Sequence, residues 1–201
     1  SGYFQVTELS TLRKLGTRLH GHPHNLALPG LEASGGPLAQ GTSIACGVAW
    51  AFKMDKESNR VFLMMSDGEL EEGQSWEAIM FAAKYRLDNI TAVIDRNFIQ
   101  IDGNTEDVMP LEPLKQKLEA FNWNVLVVNG HDYPKLLDAF KSAAQFKGKP
   151  TVIIALTTPG KGVSFMENKF EWHGKTPNKE EAAKALEELA AARKKILEEN
   201  P

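Results

Sequence analysis

The stretch SDGELEEGQSWEAIMFAAKYRLDNITAVIDRNFIQIDG, residues 66–103, decides the fold that we predict for this chain. An apolar run at residues 61–65 leads into it, and a second apolar run occupies residues 90–94. An acidic turn and an amphipathic segment separate the two runs. This order of strand, turn, helix and strand is typical of a parallel βαβ unit.

Two residues with side-chain oxygens, Asp67 and Asn97, lie just past the two apolar runs. In parallel sheets, ligands bind outside the carboxyl ends of the strands. We therefore expect the oxygens of Asp67 and Asn97 to face one point. A carboxylate and a carboxamide suit Mg²⁺, which binds few protein carboxylates and completes its shell with phosphate and water oxygens. The alternative is an ordinary βαβ unit whose acidic turn holds no ligand.

Further apolar runs alternate with helical segments along the chain. We predict strands at residues 61–65, 90–94, 125–128 and 151–156, and helices at residues 6–15, 42–54, 74–86, 111–121, 133–146 and 178–200. This alternation predicts the α/β class, with a doubly wound, mostly parallel sheet and helices on both faces. We assign residues 1–177 to one domain and residues 178–201 to a C-terminal amphipathic helix.

The composition is that of a globular protein without a special affinity for polyanions. The chain has 201 residues, 42% of them hydrophobic and 24% charged, and a net charge of −3. These values favour neither nucleic acid nor a membrane surface as a partner, and we expect a cytoplasmic location. The single cysteine, Cys46, lies in an apolar helical segment, which favours a small buried residue over a nucleophile.

One candidate metal site is a group of three histidines at alternate positions, His20, His22 and His24. Pro23 and Gly21 predict an irregular loop here, and the zinc-binding HExxH spacing is missing, so zinc is disfavoured. A second histidine candidate is the pair His131–Asp132. It could be catalytic, but Asp132 directly precedes a predicted helix, which favours a helix cap.

The acidic turn contains Glu69, Glu71 and Glu72 ahead of the helix predicted at residues 74–86. Acidic side chains in a first turn complement the helix dipole. We assign Glu69 and Glu71 that role alone, whereas for Glu72 a functional role stays open.

The residues around Asp67 and Asn97 also resemble a known motif. Asp67-Gly68 followed by a βα segment and then Asn97 and Ile99 is similar to the thiamine-diphosphate motif, which usually reads Gly-Asp-Gly and closes with Asn-Asn or Asp-Asn. The patterns DGELxEG and DxNxIxxDG resemble transketolase in particular. Ser66 replaces the usual first glycine, and Arg96 precedes Asn97; neither change removes a ligand.

The resemblance implies the thiamine-diphosphate-binding fold for residues 1–177, with thiamine diphosphate and Mg²⁺ (or Ca²⁺ or Mn²⁺) as cofactors. It implies that the metal ligands are Asp67, Asn97 and the carbonyl of Ile99. The glycine-rich loop at residues 30–41 resembles the transketolase segment that touches the cofactor. The implied cofactor-binding residues are Gly36, Pro37, Leu38, Asp67, Gly68, Glu72, Asn97, Ile99, Lys161 and His173.

Two further segments resemble transketolase. Gly21-His22-Pro23 matches a segment whose histidine faces the substrate channel, and Trp172-His173-Gly174 matches one whose histidine reaches the diphosphate and the substrate. The resemblance therefore implies that His22 and His173 are catalytic. Lys161, between two glycines, could reach an anion at the same edge.

By analogy, the expected reaction transfers a two-carbon ketol unit from a ketose phosphate to an aldose phosphate, as in the pentose phosphate pathway. The chain contains neither the family's first segment nor its pyrimidine-binding domain. We therefore expect a complementary pyrimidine-binding partner subunit, oligomerisation of such pairs, and no activity from this chain alone.

Alternatives remain at this point. Deoxyxylulose-phosphate synthase and the decarboxylase subunits of 2-oxo acid dehydrogenases share the cofactor and fold, although Glu69-Leu70-x-Glu72-Gly73 favours transketolase. A non-catalytic, partner-binding remnant of the fold is another possibility. A magnesium-nucleotide protein is disfavoured, because the sequence has no GxxxxGK[ST] loop.

Overall fold

The computed structural model of the chain describes residues 2–199, and its centre is a parallel sheet of four strands. The sheet strands are β1 (Val61–Ser66), β2 (Ile90–Arg96), β5 (Asn124–Asn129) and β6 (Thr151–Leu156), and a hairpin is formed by β3 (Ile99–Gln100) and β4 (Gly103–Asn104). In space the sheet order is β1, β2, β6, β5, and all neighbours are parallel. The predicted α/β class is confirmed, and the four predicted strands agree with those observed.

Helices cover both faces of this sheet. They are α1 (Gln40–Met54), α2 (Gly73–Lys84), α3 (Thr105–Val108), α4 (Leu114–Ala120), α5 (Tyr133–Gln145) and α6 (Lys179–Glu199), with 3₁₀ helices at Val6–Thr11, Gly68–Glu71 and Phe170–Trp172. Buried residues of α1, α2 and α4 form one core with the sheet, whereas α5 packs against the other face. No helix within residues 2–199 is long and apolar enough to cross a membrane. The domain boundary predicted at residue 177 stays a prediction.

Two predicted helices differ from those observed. The helix predicted at residues 6–15 is a 3₁₀ helix that ends at Thr11, and Arg13 has a left-handed φ of 61°. Its apolar side chains remain exposed, so no packing extends the helix. The helix predicted at residues 111–121 begins only at Leu114, directly after Pro113. Proline disfavours helical conformation in the residue before it, which keeps Glu112 out of the helix.

The strand register brings four carboxyl ends to one edge of the sheet. Ser66 at the end of β1 is level with Asp95 of β2. The last residue of β2, Arg96, is level with Leu156 of β6, and Leu156 is level with Asn129 of β5. Residues that follow these strands therefore meet at the same edge, as the parallel order requires.

Cys46 is a buried core residue. Only 3% of it is exposed, and its thiol lies 3.5 Å from the carbonyl oxygen of Ala78 in α2. Burial raises the pKa of the Cys46 thiol to about 11, which keeps it protonated near neutral pH. The prediction of a small buried residue is confirmed.

Asp132 caps α5, as predicted. Its Oδ1 accepts a hydrogen bond of 3.1 Å from the backbone amide of Lys135. The neighbouring His131 turns to a different segment, where its Nε2 accepts a hydrogen bond of 2.7 Å from the amide of Thr158. The two side chains therefore act on separate backbone segments and do not form a catalytic pair.

Candidate functional site

Asp67 is a fully buried carboxylate at the carboxyl edge of the sheet. It directly follows β1 and is 0% exposed. Its Oδ2 accepts hydrogen bonds from the amide of Phe98 at 2.6 Å and from Nη1 of Arg96 at 2.9 Å. Its Oδ1 is also buried but has no hydrogen-bond partner within residues 2–199. Because a buried carboxylate oxygen without a partner is costly, this atom is suited to a bound cation.

Burial sets the protonation behaviour of this centre. It raises the pKa of the Asp67 carboxyl to about 6, although the Arg96 guanidinium and the amide of Phe98 act in the opposite direction. Burial alone would lower the pKa of Arg96, but hydrogen bonds and charges from Glu112, Asp67 and Glu106 raise it. Arg96 therefore stays a cation while Asp67 lacks a full counter-charge.

Asn97 and Ile99 lie beside Asp67 in the turn that follows β2. Asn97 Oδ1 accepts a hydrogen bond of 3.0 Å from the amide of Ile99, and its Nδ2 donates to Asp95 at 3.2 Å. Phe98 between them has a left-handed φ of 64°, which tightens the turn. The amide of Phe98 is the group bonded to Asp67. The structure thus brings the three predicted metal ligands together around one short turn.

The available donors suit a hard divalent cation that takes part of its shell from other molecules. They are a carboxylate oxygen, an amide oxygen and a backbone carbonyl, the oxygen ligands that Mg²⁺ and Ca²⁺ accept. Within residues 2–199, no group of three or more His, Cys, Asp or Glu side chains could hold a metal ion. A cation here would therefore need oxygens from a ligand or water, as Mg²⁺ does on phosphates.

Glu69 ties the glycine-rich loop to this edge. Its Oε1 accepts a hydrogen bond of 3.2 Å from the amide of Ala39, and its Oε2 accepts one of 3.1 Å from the amide of Ser66. Ala39 precedes α1, is fully buried and has a left-handed φ of 65°. The prediction that Glu69 acts only on a helix dipole was therefore wrong. Its carboxylate joins two backbone segments that only the tertiary fold brings together.

The motif resemblance implies thiamine diphosphate binding, and we expect Glu69→Gln to weaken that binding by about tenfold, because one of the two backbone amides then faces an amide N–H instead of an oxygen. Isothermal titration with Mg²⁺ present measures the change. The matched control is Glu77→Gln, on the exposed surface of α2, which we expect to bind as the unaltered chain does. Equal affinities for both variants would contradict this positioning role of Glu69.

His22 packs against the glycine-rich loop. Gly36 has a φ of 121°, and a Cβ added there would lie 3.2 Å from Cγ of His22. Any side chain at Gly36 would therefore crowd the imidazole. Pro37 and Leu38 continue the loop on the exposed surface. The structure thus joins the predicted His22 to the predicted loop residues.

Lys161, His173 and Glu72 are all exposed residues. Lys161 is exposed, with its Nζ 4.0 Å from Glu167, and His173 is exposed just after the 3₁₀ helix at residues 170–172, which contacts β4. Glu72 is exposed at the start of α2. No hydrogen bond within residues 2–199 links any of these three side chains to Asp67. Gly68, by contrast, directly follows Asp67 and lies near Gln100 of β3.

Arg96 is the residue of this centre that sequence reasoning did not assign a role. It is 1% exposed at the end of β2, and it contacts Asp67, Thr105, Glu106 and Glu112. One signal was available: an arginine that ends an otherwise apolar strand needs buried partners. The partners themselves could not be read from the sequence.

These features define a class of protein: an α/β domain with a buried carboxylate beside a glycine-rich loop, at the carboxyl edge of a parallel sheet. Over residues 1–197, the chain matches the family model described as the thiamine diphosphate binding domain of transketolase. The chain belongs to this transketolase family, and the resemblance noted from its motifs is confirmed.

Its relatives include proteins named as subunits. An apulose-4-phosphate transketolase subunit from Phocaeicola vulgatus is 40% identical over 199 residues, covering 99% of this chain and 70% of that protein. The 6-deoxy-6-sulfo-D-fructose transketolase subunit SqwG of Clostridium sp. (strain MSTE9) is 41% identical over 188 residues, covering 94% of this chain and 68% of that protein.

A solved transketolase has the same fold. The enzyme from Campylobacter jejuni superposes with a TM-score of 0.85 at 34% identity, covering 90% of this chain. The match covers only 29% of the Campylobacter chain. The chain therefore corresponds to one domain of the larger enzyme.

Proposed function

We propose that this chain is the thiamine-diphosphate- and Mg²⁺-binding part of a transketolase. The observation that carries the proposal is the buried, unpartnered Oδ1 of Asp67, next to Asn97 and Ile99, in a chain of this family. The complete enzyme would transfer a two-carbon ketol unit from a ketose phosphate to an aldose phosphate. We place it in the cytoplasm and in the pentose phosphate pathway.

The proposed cation ligands are Asp67, Asn97 and the carbonyl of Ile99. Mg²⁺ is the proposed ion because it binds diphosphate oxygens together with few carboxylates; Ca²⁺ and Mn²⁺ could take its place. The backbone of Gly36, Pro37 and Leu38, with Gly68, Glu72 and Lys161, would hold the organic part and the diphosphate. Thiamine diphosphate, when bound, supplies the carbon nucleophile of the reaction.

His22 and His173 are the proposed proton-transfer groups. An imidazole ring can donate a proton from one nitrogen and accept one at the other, and both side chains are exposed and therefore open to a substrate. His173 would also hold the diphosphate. Lys161 would add a cation at this edge, and its charge complements a phosphate.

A partner subunit completes the proposal. The relatives in Phocaeicola and Clostridium carry the word subunit in their names, which supports a divided enzyme. The partner would contribute the pyrimidine-binding domain, and the pairs would associate further. We therefore expect the purified chain alone to show no ketol transfer.

Two measurements test this function. Thiamine diphosphate is titrated calorimetrically into the chain and into its complex with the partner, with Mg²⁺ and then with EDTA. Ketol transfer to ribose 5-phosphate is compared with turnover of pyruvate. We expect saturable, metal-dependent binding and ketol transfer only in the complex. Binding without turnover would identify a non-catalytic remnant, turnover of pyruvate a different thiamine enzyme, and transfer by the chain alone would refute the need for a partner.

A further inference from the structure

The buried guanidinium of Arg96 is unusual because three carboxylates share it. Nη1 donates to Asp67 Oδ2 and to the hydroxyl of Thr105, each at 2.9 Å. Nη2 donates to Glu106 at 2.6 Å and to Glu112 at 2.9 Å. Each terminal nitrogen thus has two acceptors, so the plane and the position of the guanidinium are fully determined.

The cluster of Arg96 and its three carboxylates carries more negative than positive charge. One guanidinium faces the carboxylates of Asp67, Glu106 and Glu112, so two net negative charges remain when all four groups are ionised. Glu106 and Glu112 are partly exposed, which lets water offset their charges, whereas Asp67 is fully buried. The uncompensated buried charge therefore lies on Asp67.

The hydrogen bonds also distinguish the two oxygens of Asp67. Oδ2 accepts from both Arg96 and the amide of Phe98, so its lone pairs are occupied. Oδ1 has no partner within residues 2–199 although it is buried. With Oδ2 held on one side, Asp67 can offer only Oδ1 to a cation. A single carboxylate oxygen suits the strict octahedron of Mg²⁺, whereas Ca²⁺ also accepts both oxygens of one carboxylate.

We propose that Arg96 is a positioning residue that makes Asp67 a one-oxygen ligand and thereby favours Mg²⁺ over Ca²⁺. The proposal rests on the proposed cofactor site and adds to it the residue that sets the metal preference. Arg96 does not touch the cation; it acts through Oδ2 of Asp67. It also links the centre to α3 and the segment that follows, through Thr105, Glu106 and Glu112.

Coulomb repulsion between Arg96 and the metal ion predicts the opposite effect of removing Arg96, so one experiment distinguishes the two explanations. A nearby cation repels a metal ion, so removal of the Arg96 charge should strengthen Mg²⁺ binding if charge alone mattered. If Arg96 positions the ligand, Arg96→Met leaves Oδ2 with the amide of Phe98 as its one remaining partner within residues 2–199, and this weaker restraint lowers Mg²⁺ affinity. Residues that orient metal ligands contribute about 10–100-fold to affinity. We expect Mg²⁺ affinity to fall at least about tenfold and Ca²⁺ affinity to fall less.

The experiment titrates Mg²⁺ and Ca²⁺ separately into the chain, with its partner subunit present, at saturating thiamine diphosphate. The readout is the ratio of the Mg²⁺ affinity to the Ca²⁺ affinity. A general loss of stability lowers both affinities together and therefore leaves this ratio unchanged. Arg96→Met is measured beside two milder variants. Arg96→Lys keeps the charge without the fork of donors, and Thr105→Val removes one acceptor and leaves every charge in place. We expect both to shift the ratio toward Ca²⁺, by a smaller factor.

Lys117→Met is the matched control. Its Nζ donates to the carbonyl of Leu111 at 2.8 Å, so it anchors the same segment by a cation without contacting Asp67. We expect its metal ratio to equal that of the unaltered chain. The proposal is overturned if Mg²⁺ binds more tightly to Arg96→Met, or if Arg96→Lys and Thr105→Val leave the ratio unchanged. If the unaltered complex binds no metal with the cofactor, it is the proposed function that fails instead.

Discussion

We expect replacement of Asp67 by asparagine to weaken the metal-dependent binding of thiamine diphosphate strongly. The substitution keeps the size of the side chain but removes the buried charge that would bind the cation. Loss of one partner from a buried charge pair costs about 2–5 kcal/mol, which corresponds to a fall in affinity of roughly 30- to 5,000-fold. Calorimetric titration with Mg²⁺ present, in the chain and in its complex, measures the effect.

The fold should survive this change. Arg96 keeps Thr105, Glu106 and Glu112 as partners, and an asparagine oxygen can still accept from the amide of Phe98. Circular dichroism and the melting temperature check this point. Asp55→Asn is the matched control, since Asp55 is exposed at the end of α1, before β1 begins. If the Asp67 variant bound the cofactor as tightly as the unaltered chain, the proposed role of Asp67 as a metal ligand would be wrong.

Replacement of Gly160 by alanine disrupts the loop that follows β6 and carries Lys161. Gly160 has a left-handed φ of 70°, and an added Cβ would lie 2.7 Å from the backbone carbonyl carbon of Met166. The left-handed conformation alone costs about 1 kcal/mol for alanine, and the collision with backbone adds to it. We expect the free energy of unfolding to fall by about 2–4 kcal/mol. Chemical denaturation measures it.

Gly148 separates the two causes. It also has a left-handed φ, of 84°, but an added Cβ would have no neighbour within 4 Å. Gly148→Ala therefore reports the backbone cost alone, about 1 kcal/mol. The difference between the two variants is the cost of the collision. Equal destabilisation would mean that the backbone near Met166 moves aside, and the loop would then be less rigid than its contacts indicate.

The sequence predicted the sheet well because its signal is local. Each strand is a short apolar run, and β2 and β6 are almost wholly buried, as central parallel strands require. The positions of Asp67 and Asn97 at the ends of two such runs then predicted that they meet. The prediction of a helix at residues 6–15 was wrong because its signal is not sufficient by itself. An amphipathic pattern shows that one face of a helix could be buried, but this segment has no surface to pack against.

The sequence by itself determined the class of fold and the family to which the chain belongs. Only the tertiary structure decided that Arg96 reaches Asp67, 29 residues earlier, and that Glu69 holds the loop at Ala39, 30 residues earlier. These pairings depend on which strands are neighbours and on their register. The hydrophobic periodicity of one segment shows neither which strand is its neighbour nor their register. The partners of a buried charge can therefore be identified only in the assembled sheet.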